Sequence, residues 1–237
     1  MKVQIWSDVV CPWCYVGKRR FEAALAEFEH RDQVELTWRS FELDPAADPS
    51  SASADGQYVQ RLAAKYGKSV PDAQQMLDQM QQVAAAEGLD FRFDLARTGN
   101  TFDAHRLLHL ALARGVQDEL KEKLDNATFT HGLAVSDHEE LARVAVSAGL
   151  DETEVKSVLD SDQFADAVRA DEVKARAYGI SGVPFFVVDD KYGVSGAQPP
   201  EQLLAVLTQA WAERDPAPVL VHAHEGGAMC DGDSCTL

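Results

Sequence analysis

Thiols are scarce in this 237-residue chain and badly placed for stapling a fold: there are four cysteines, and none lies between Cys14 and Cys230. That excludes a disulfide scaffold, and thiols paired at the two ends of a chain point to redox or metal chemistry instead. Positive charge is short as well. Lys and Arg number 22 against 39 Asp and Glu, a net charge of -17, which repels phosphate backbones and anionic lipid and removes nucleic acid and membrane surfaces from the expected partners. No apolar run approaches the ~20 residues of a membrane span. The N-terminus, MKVQIWSDVVCPWC, enters strand-like sequence without the basic head, apolar stretch and cleavage site of a secretory signal, so the expected location is cytoplasmic. What remains, 46% hydrophobic and 26% charged, is the composition of a folded globular protein of one large domain or two small ones.

Periodicity divides the chain into zones. Val3 and Ile5 alternate with Lys2 and Gln4, and Val34, Leu36 and Trp38 alternate with Glu35, Thr37 and Arg39, which predicts two strands with one apolar face each. Between them Phe21, Leu25 and Phe28 mark an amphipathic helix beginning at the Cys11–Cys14 turn. A loop with Pro45 and Pro49 opens a long helical zone. Its helices are marked by Leu77, Met80, Val83 and Ala84 after Pro71, by leucines from 107 to 124 divided near Gly115, and by Leu141 to Ala148 with Asp137 and Glu140 spaced as a capping box. Val155 to Leu159 and Phe164 to Tyr178 supply two more. Strand character returns only at Phe185 to Val188 and Tyr192 to Ser195, before a last helix from about Pro200 to Trp211. Two strands alone are marginal as a sheet, so the β-rich ends must pair with each other across the helical zone.

The chemistry concentrates in Cys11-Pro12-Trp13-Cys14. A dithiol catalyst needs one thiolate to attack a disulfide and a second thiol, one helical turn away, to resolve the mixed disulfide. At a strand-to-helix junction the positive helix end favours the Cys11 thiolate, and such motifs bring a thiol from ~8.5 to about 3.5–7.5. Pro12 suits the first turn, where its missing N–H costs nothing. Asp8 opposes the thiolate, while Lys18, Arg19 and Arg20 lie about two turns on and are expected to be screened. A zinc half-site would need two further ligands, which the distant Cys230 and Cys235 do not match in spacing.

With these residues in view, the chain resembles the DsbA-like members of the thioredoxin superfamily, and within them the FrnE-type branch related to 2-hydroxychromene-2-carboxylate isomerase and kappa-class glutathione transferase. The likeness covers about Lys2 to Trp211. Besides CPWC it rests on Asn100-Thr101 with Ala104-His105-Arg106-Leu107, on Gly182-Val183-Pro184-Phe185-Phe186-Val187, and on Val194-Ser195-Gly196-Ala197-Gln198-Pro199. It implies an α/β thioredoxin fold with a large helical insertion and a C-terminal extension: a thioredoxin-like domain of 1–43 and 179–213, an inserted helical domain of 44–178, and a flexible tail of 214–237. It also implies that Pro184 is cis and faces the active site, with Val183 beside it as a docking edge for substrate and with Pro12 and Trp13 in the substrate-binding surface. The glutathione-dependent relatives carry a serine where Cys11 stands. Two cysteines here favour thiol–disulfide exchange, with disulfide-containing proteins or small thiols as substrates, no bound cofactor, and glutathione left open as a redox partner.

Other candidates remain. His105 and His109 share one helix face, but without a third ligand they read as packed imidazoles and no metal site is assigned. Cys230 and Cys235, with four residues between them including Gly232, form an auxiliary redox pair that exchanges with Cys11 and Cys14 within the chain or, in a homodimer, between chains. The alternatives are a soft-metal clasp with His222 and His224, as in a metal-binding stress protein, or idle thiols. Flanking Asp231 and Asp233 disfavour their thiolates.

Overall fold

The computed structural model describes residues 1–48 and 58–214, together with the backbone of 229–231 and 234–236. In chain order the elements are β1 (Lys2–Ser7), α1 (Pro12–Glu27), β2 (Glu35–Ser40), α2 (Tyr58–Tyr66), α3 (Val70–Ala86), α4 (Phe102–Arg114), α5 (Gln117–His131), α6 (His138–Ser147), α7 (Glu152–Leu159), α8 (Ala165–Ala177), β3 (Phe185–Val188), β4 (Tyr192–Ser195), α9 (Pro200–Ala212), β5 (Met229–Asp231) and β6 (Ser234–Thr236). Helices α2 to α8 therefore stand in sequence between two halves of one four-stranded sheet, ordered β2-β1-β3-β4. Strand β1 pairs parallel with β2 and antiparallel with β3, in the register Val3–Val188, Gln4–Val187, Ile5–Phe186 and Trp6–Phe185. This is the α/β thioredoxin fold.

One face of the sheet packs against α1 and α9 through Val3, Ile5, Phe21, Phe186, Leu203 and Leu207. On the other face Gln4 and Trp6 are buried too, because α8 and the segment after it cover that side through Ala175 and Ile180. Gln4 survives burial by donating to Asp190 and accepting from Arg39 and Lys174, as a buried amide must.

The helical zone carries its own core around Leu107, Leu120, Leu124, Leu141 and Val155. A second cluster, with Val16, Leu77, Met80, Phe91 and Phe129, joins α1 to α3. Asp137 caps α6 by accepting from the N–H groups of Glu139 and Glu140, but Glu140 turns away to Ala134 N, so the predicted capping box is only half formed. Gly115 and Gly132, both at positive φ, end α4 and α5, where a side chain would strain the backbone. Helix α2, between the proline loop and Pro71, has no counterpart among the predicted helices. Near the C-terminus β5 and β6 pair antiparallel with Cys230 opposite Cys235, a short hairpin where the sequence suggests no regular element. Residues 215–228, including His222 and His224, lie outside the described residues.

Candidate active site

Strand β1 ends at Ser7, and a tight turn whose Asp8 carbonyl accepts the Cys11 N–H at 3.3 Å delivers the chain into α1. Cys11 is the N-cap of α1 in an extended conformation, with Pro12 at the first helical position and no side chain capping the exposed N–H groups. The helix end is thus left to the Cys11 sulfur, where anionic charge is favoured. Cys14 follows one turn later, its N–H donating to the Cys11 carbonyl at 2.9 Å. Both are free thiols, and they differ in access: Cys14 is sealed, Cys11 is 5% exposed, and Trp13 between them is 43% exposed.

Opposite Cys11 stands the segment before β3. The Val183–Pro184 peptide bond is cis, as the family resemblance implied, and the Val183 carbonyl accepts from Cys11 Sγ at 3.6 Å. The sheet register explains the meeting, since pairing Trp6 with Phe185 brings the end of β1 and the start of β3 to the same end of the sheet. Gly17, one turn beyond Cys14, lets Pro184 approach: a Cβ there would lie 2.9 Å from Pro184 Cγ.

Beneath the dithiol lies a buried ion pair that sequence reasoning missed. Lys121 Nζ, on α5, donates to both carboxylate oxygens of Asp125, and both residues are inaccessible to solvent. Burial pushes Asp125 up to about 6 against the opposing pull of Lys121 and Lys18. Burial also pushes the Cys14 thiol well up, and the neighbouring Cys11 adds to it, whereas the Lys121 charge and the Ser7 hydroxyl act the other way. The Lys121 charge thus favours the Cys14 thiolate, the species that resolves a mixed disulfide. The i,i+4 spacing was visible but resembles an ordinary surface pair. The signal was that each partner follows a core leucine, Leu120 or Leu124.

Of the remaining expectations, the screening of the basic residues is overturned. Asp8 is buried and spent on Leu43 N at 2.8 Å and on His105 at 3.3 Å. Lys18, Arg19 and Arg20 are not screened by solvent; Lys18 is buried among Glu22, Asp118 and Glu122, Arg19 pairs with Glu22 and Glu122, and Arg20 holds Glu87. Together they clamp α1 to α5 and α3. His105 and His109 are packed imidazoles, the latter against Ser40 and Asp171.

A cavity of about 500 Å3 opens beside the dithiol, walled by Val10, Leu43, Leu62, Phe93 and Phe129 among others. Tyr58 also lines it, its phenol pushed up to about 12 by burial and further by Tyr66 and Cys11.

Comparison with known proteins places this geometry. A family model described as a DSBA-like thioredoxin domain matches residues 2–208. A probable DsbA oxidoreductase from Streptomyces coelicolor is 48% identical, with 100% of this chain and 99% of that one covered at a TM-score of 0.86. The uncharacterized protein YwbO of Bacillus subtilis is 28% identical over 199 residues, 79% of this chain and 86% of that one. The cytosolic disulfide reductase DsbM of Pseudomonas aeruginosa, in a structure with GSH, shares the fold at 13% identity and a TM-score of 0.62, covering 90% of this chain and all of that one.

Proposed function

The chain belongs to the DSBA-like thioredoxin family, and on that premise we propose that it is a thiol–disulfide oxidoreductase and disulfide isomerase of the FrnE-type branch, working through Cys11 and Cys14. The observation that carries the reading is the placement of the Cys11 sulfur at the start of α1, 3.6 Å from the Val183 carbonyl, with the sealed Cys14 one turn behind. The Cys11 thiolate attacks a substrate disulfide R–S–S–R′, forming Cys11–S–S–R and expelling R′–S⁻, which takes up a proton. Cys14, having lost its proton, attacks the Cys11 sulfur. The Cys11–Cys14 disulfide forms, R–S⁻ leaves, and the substrate is reduced by two electrons; the reverse sequence oxidises a dithiol. Isomerisation follows when, before Cys14 acts, R′–S⁻ attacks another disulfide of the substrate and the thiolate this frees attacks the R sulfur of Cys11–S–S–R, forming a new substrate disulfide and returning the Cys11 thiolate. Val183 and Pro184 serve as the edge on which an extended substrate lies, with Pro12 and Trp13 beside it.

Cytoplasmic residence fits a chain whose thiols staple nothing. Cys230 and Cys235 extend the reading as an auxiliary pair that passes oxidising equivalents to or from the active site, within one chain or between two. Their cross-strand register supports it, because directly opposed residues of an antiparallel pair have Cα atoms ~4.5–5.5 Å apart, within the span a disulfide bridges.

The test uses a chain with Cys230 and Cys235 replaced by serine. Cys11→Ser abolishes disulfide reduction and scrambled-substrate refolding, and Cys14→Ser accumulates a mixed disulfide on Cys11; full activity of Cys11→Ser overturns the assignment. Turnover that requires glutathione and survives Cys14→Ser instead identifies a glutathione-dependent transferase or isomerase of small molecules. In a chain retaining the tail cysteines, gently oxidised Cys14→Ser should yield a Cys11 bond to Cys230 or Cys235 by peptide mass, and its absence while Cys11 traps other substrates removes the relay.

A further inference from the structure

Resolution of a mixed disulfide needs negative charge on the Cys14 sulfur, in a place sealed from water, and the end of β1 supplies a neighbour for that charge. Val3, Ile5 and Ser7 alternate onto one face of the strand, and there Val3 and Ile5 pack with Phe21 and Ala24 of α1. The tight turn from Asp8 to Cys11 sends α1 back over this same face. Its first turn, with Cys14, therefore lies at the Ser7 end of the strand, and both residues are buried.

With both cysteines as free thiols, the buried Ser7 hydroxyl has no hydrogen-bond partner among the described residues. An unpaired buried hydroxyl costs the native state the hydration it gave up, and a methyl group would fill nearly the same space without that cost. The polar atom the hydroxyl does influence is the Cys14 sulfur: burial and Cys11 push the Cys14 thiol well up, while the Lys121 charge and the Ser7 hydroxyl act against them. The other ionisable groups around the dithiol are engaged elsewhere. Asp125 holds Lys121, Lys18 lies among Glu22, Asp118 and Glu122, and Asp8 is spent on Leu43 N and His105. The Tyr58 phenol, pushed up to about 12, is neutral at pH 7.

Building on the exchange reading above, we propose that Ser7 is the hydrogen-bond donor to the Cys14 thiolate, through a bond made only while Cys14 carries charge, since a neutral sulfur is a weak acceptor. In resolution Cys14 gives up a proton, the one R–S⁻ takes in the end. The thiolate, held by the Ser7 O–H, attacks the Cys11 sulfur; the bond from Cys11 to R breaks, the Cys11–Cys14 disulfide forms, and R–S⁻ leaves. In the oxidising direction a substrate thiolate attacks Cys11, and Cys14 departs as a thiolate onto the same hydroxyl. Ser7 keeps its own proton throughout. A donor set in place for charge that appears only in passing lowers the barrier without favouring either end state. Both directions gain equally, and the redox potential of the pair is unaltered as long as Cys14 rests as a thiol.

The experiment takes the full-length chain with Cys230 and Cys235 replaced by serine, so that Cys14 alone resolves, and compares it with the same chain carrying Ser7→Ala or Ser7→Thr. A small symmetrical aliphatic disulfide is the substrate. Rapid acid quench and mass analysis of a single turnover separate formation of the mixed disulfide on Cys11 from its resolution. In Ser7→Ala, resolution at pH 7 should slow about tenfold, the usual yield of one bond to a charged group, and its pH profile should move up by about one unit, while formation of the mixed disulfide is unchanged. Opening of the Cys11–Cys14 disulfide by a small thiol should slow by the same factor, leaving the equilibrium constant against glutathione within about twofold. The urea midpoint of the reduced variant should not fall, because alanine removes an unpaired hydroxyl. Ser7→Thr keeps a hydroxyl on a residue suited to a strand and should restore both rates; if it does not fold, Ser7→Ala decides alone. Resolution unmoved in Ser7→Ala overturns the proposal. Formation and resolution slowed alike, with a lowered urea midpoint, assign Ser7 to packing and overturn it as well, as does slowing that a natively folded Ser7→Thr fails to relieve. A chain that forms no mixed disulfide on Cys11 defeats the exchange reading and this proposal with it, whereas one that forms and resolves it equally fast with or without the Ser7 hydroxyl defeats this proposal alone.

Discussion

Gly17 and Pro184 are in contact across the gap between α1 and β3, close enough that the smallest side chain at position 17 would press on the proline ring at 2.9 Å. Val183, the residue before that proline, carries the carbonyl that faces Cys11. A helix-interior glycine is thus retained against its own propensity cost because the docking segment rests on it.

Gly17→Ala should separate stability from activity. Alanine gains up to ~1 kcal/mol of helix propensity, while overpacking against the ring costs ~1–3 kcal/mol. Net stability therefore moves by about 2 kcal/mol at most, readable as a small change in the urea midpoint, whereas kcat/KM for disulfide reduction should fall at least severalfold as the Val183 edge shifts from Cys11. Unchanged kinetics would show that this edge is not used.

Lys121→Met removes the positive charge that holds the Cys14 thiol down. Mixed disulfide on Cys11 should persist longer at pH 7, and the pH profile of its resolution should move to higher pH, measured by rapid quench and mass analysis. The attack of Cys11 on substrate, followed in the same traces, should change less.

Asp125→Asn tests the buried carboxyl. Its folded pKa of about 6 lies above the ordinary 3.8, so burying the charge destabilises the native chain above pH 6, and that penalty is relieved as pH falls from 6 toward 4. Relative to Asp125→Asn, the unaltered chain should gain on the order of 3 kcal/mol across that window, read from urea unfolding at several pH values. Lys121→Met combined with Asp125→Leu, which removes both buried charges, should be near neutral in stability.

Arg106→Met should be among the most damaging changes away from the dithiol. The buried guanidinium donates to the carbonyls of Val158, Ser161 and Gln163 and to Asp103, stitching α4 to the end of α7 and the chain beyond it. Leaving those acceptors buried and unpaired should cost roughly 2–5 kcal/mol in equilibrium unfolding.

Arg106 also shows how much of the molecule was legible in the sequence. The segment Ala104-His105-Arg106-Leu107 was recognisable as a signature, but nothing in it says that its arginine caps a connection more than fifty residues away. Local rules served well where structure is local: Phe21 and Phe28 marked α1, Asp137 marked the start of α6, and the Cys11–Cys14 turn marked the junction where α1 begins. They failed where a second layer intervenes. The alternation in β1 does not reveal that Gln4 and Trp6 are buried, because the covering by α8 comes from the far end of the helical zone. Lys121 and Asp125 drew no reading, because their burial is set by tertiary packing of α5 rather than by local pattern. Tyr58 and Leu62 mark only two positions of α2, too few for a period.

The register of β1 with β3 has a consequence for the chain while it is being made. Cys11 and the Val183 carbonyl that covers it are 172 residues apart, and at ~5–20 residues per second roughly 10 to 30 s pass between synthesis of the two. For that interval the dithiol lacks its facing strand, and until α5 is made, about two-thirds of the way through it, the ion pair beneath it as well. The nascent chain's most reactive atoms are therefore made first and sheltered last, and any oxidant or foreign thiol present during translation meets them before the fold can govern what they react with.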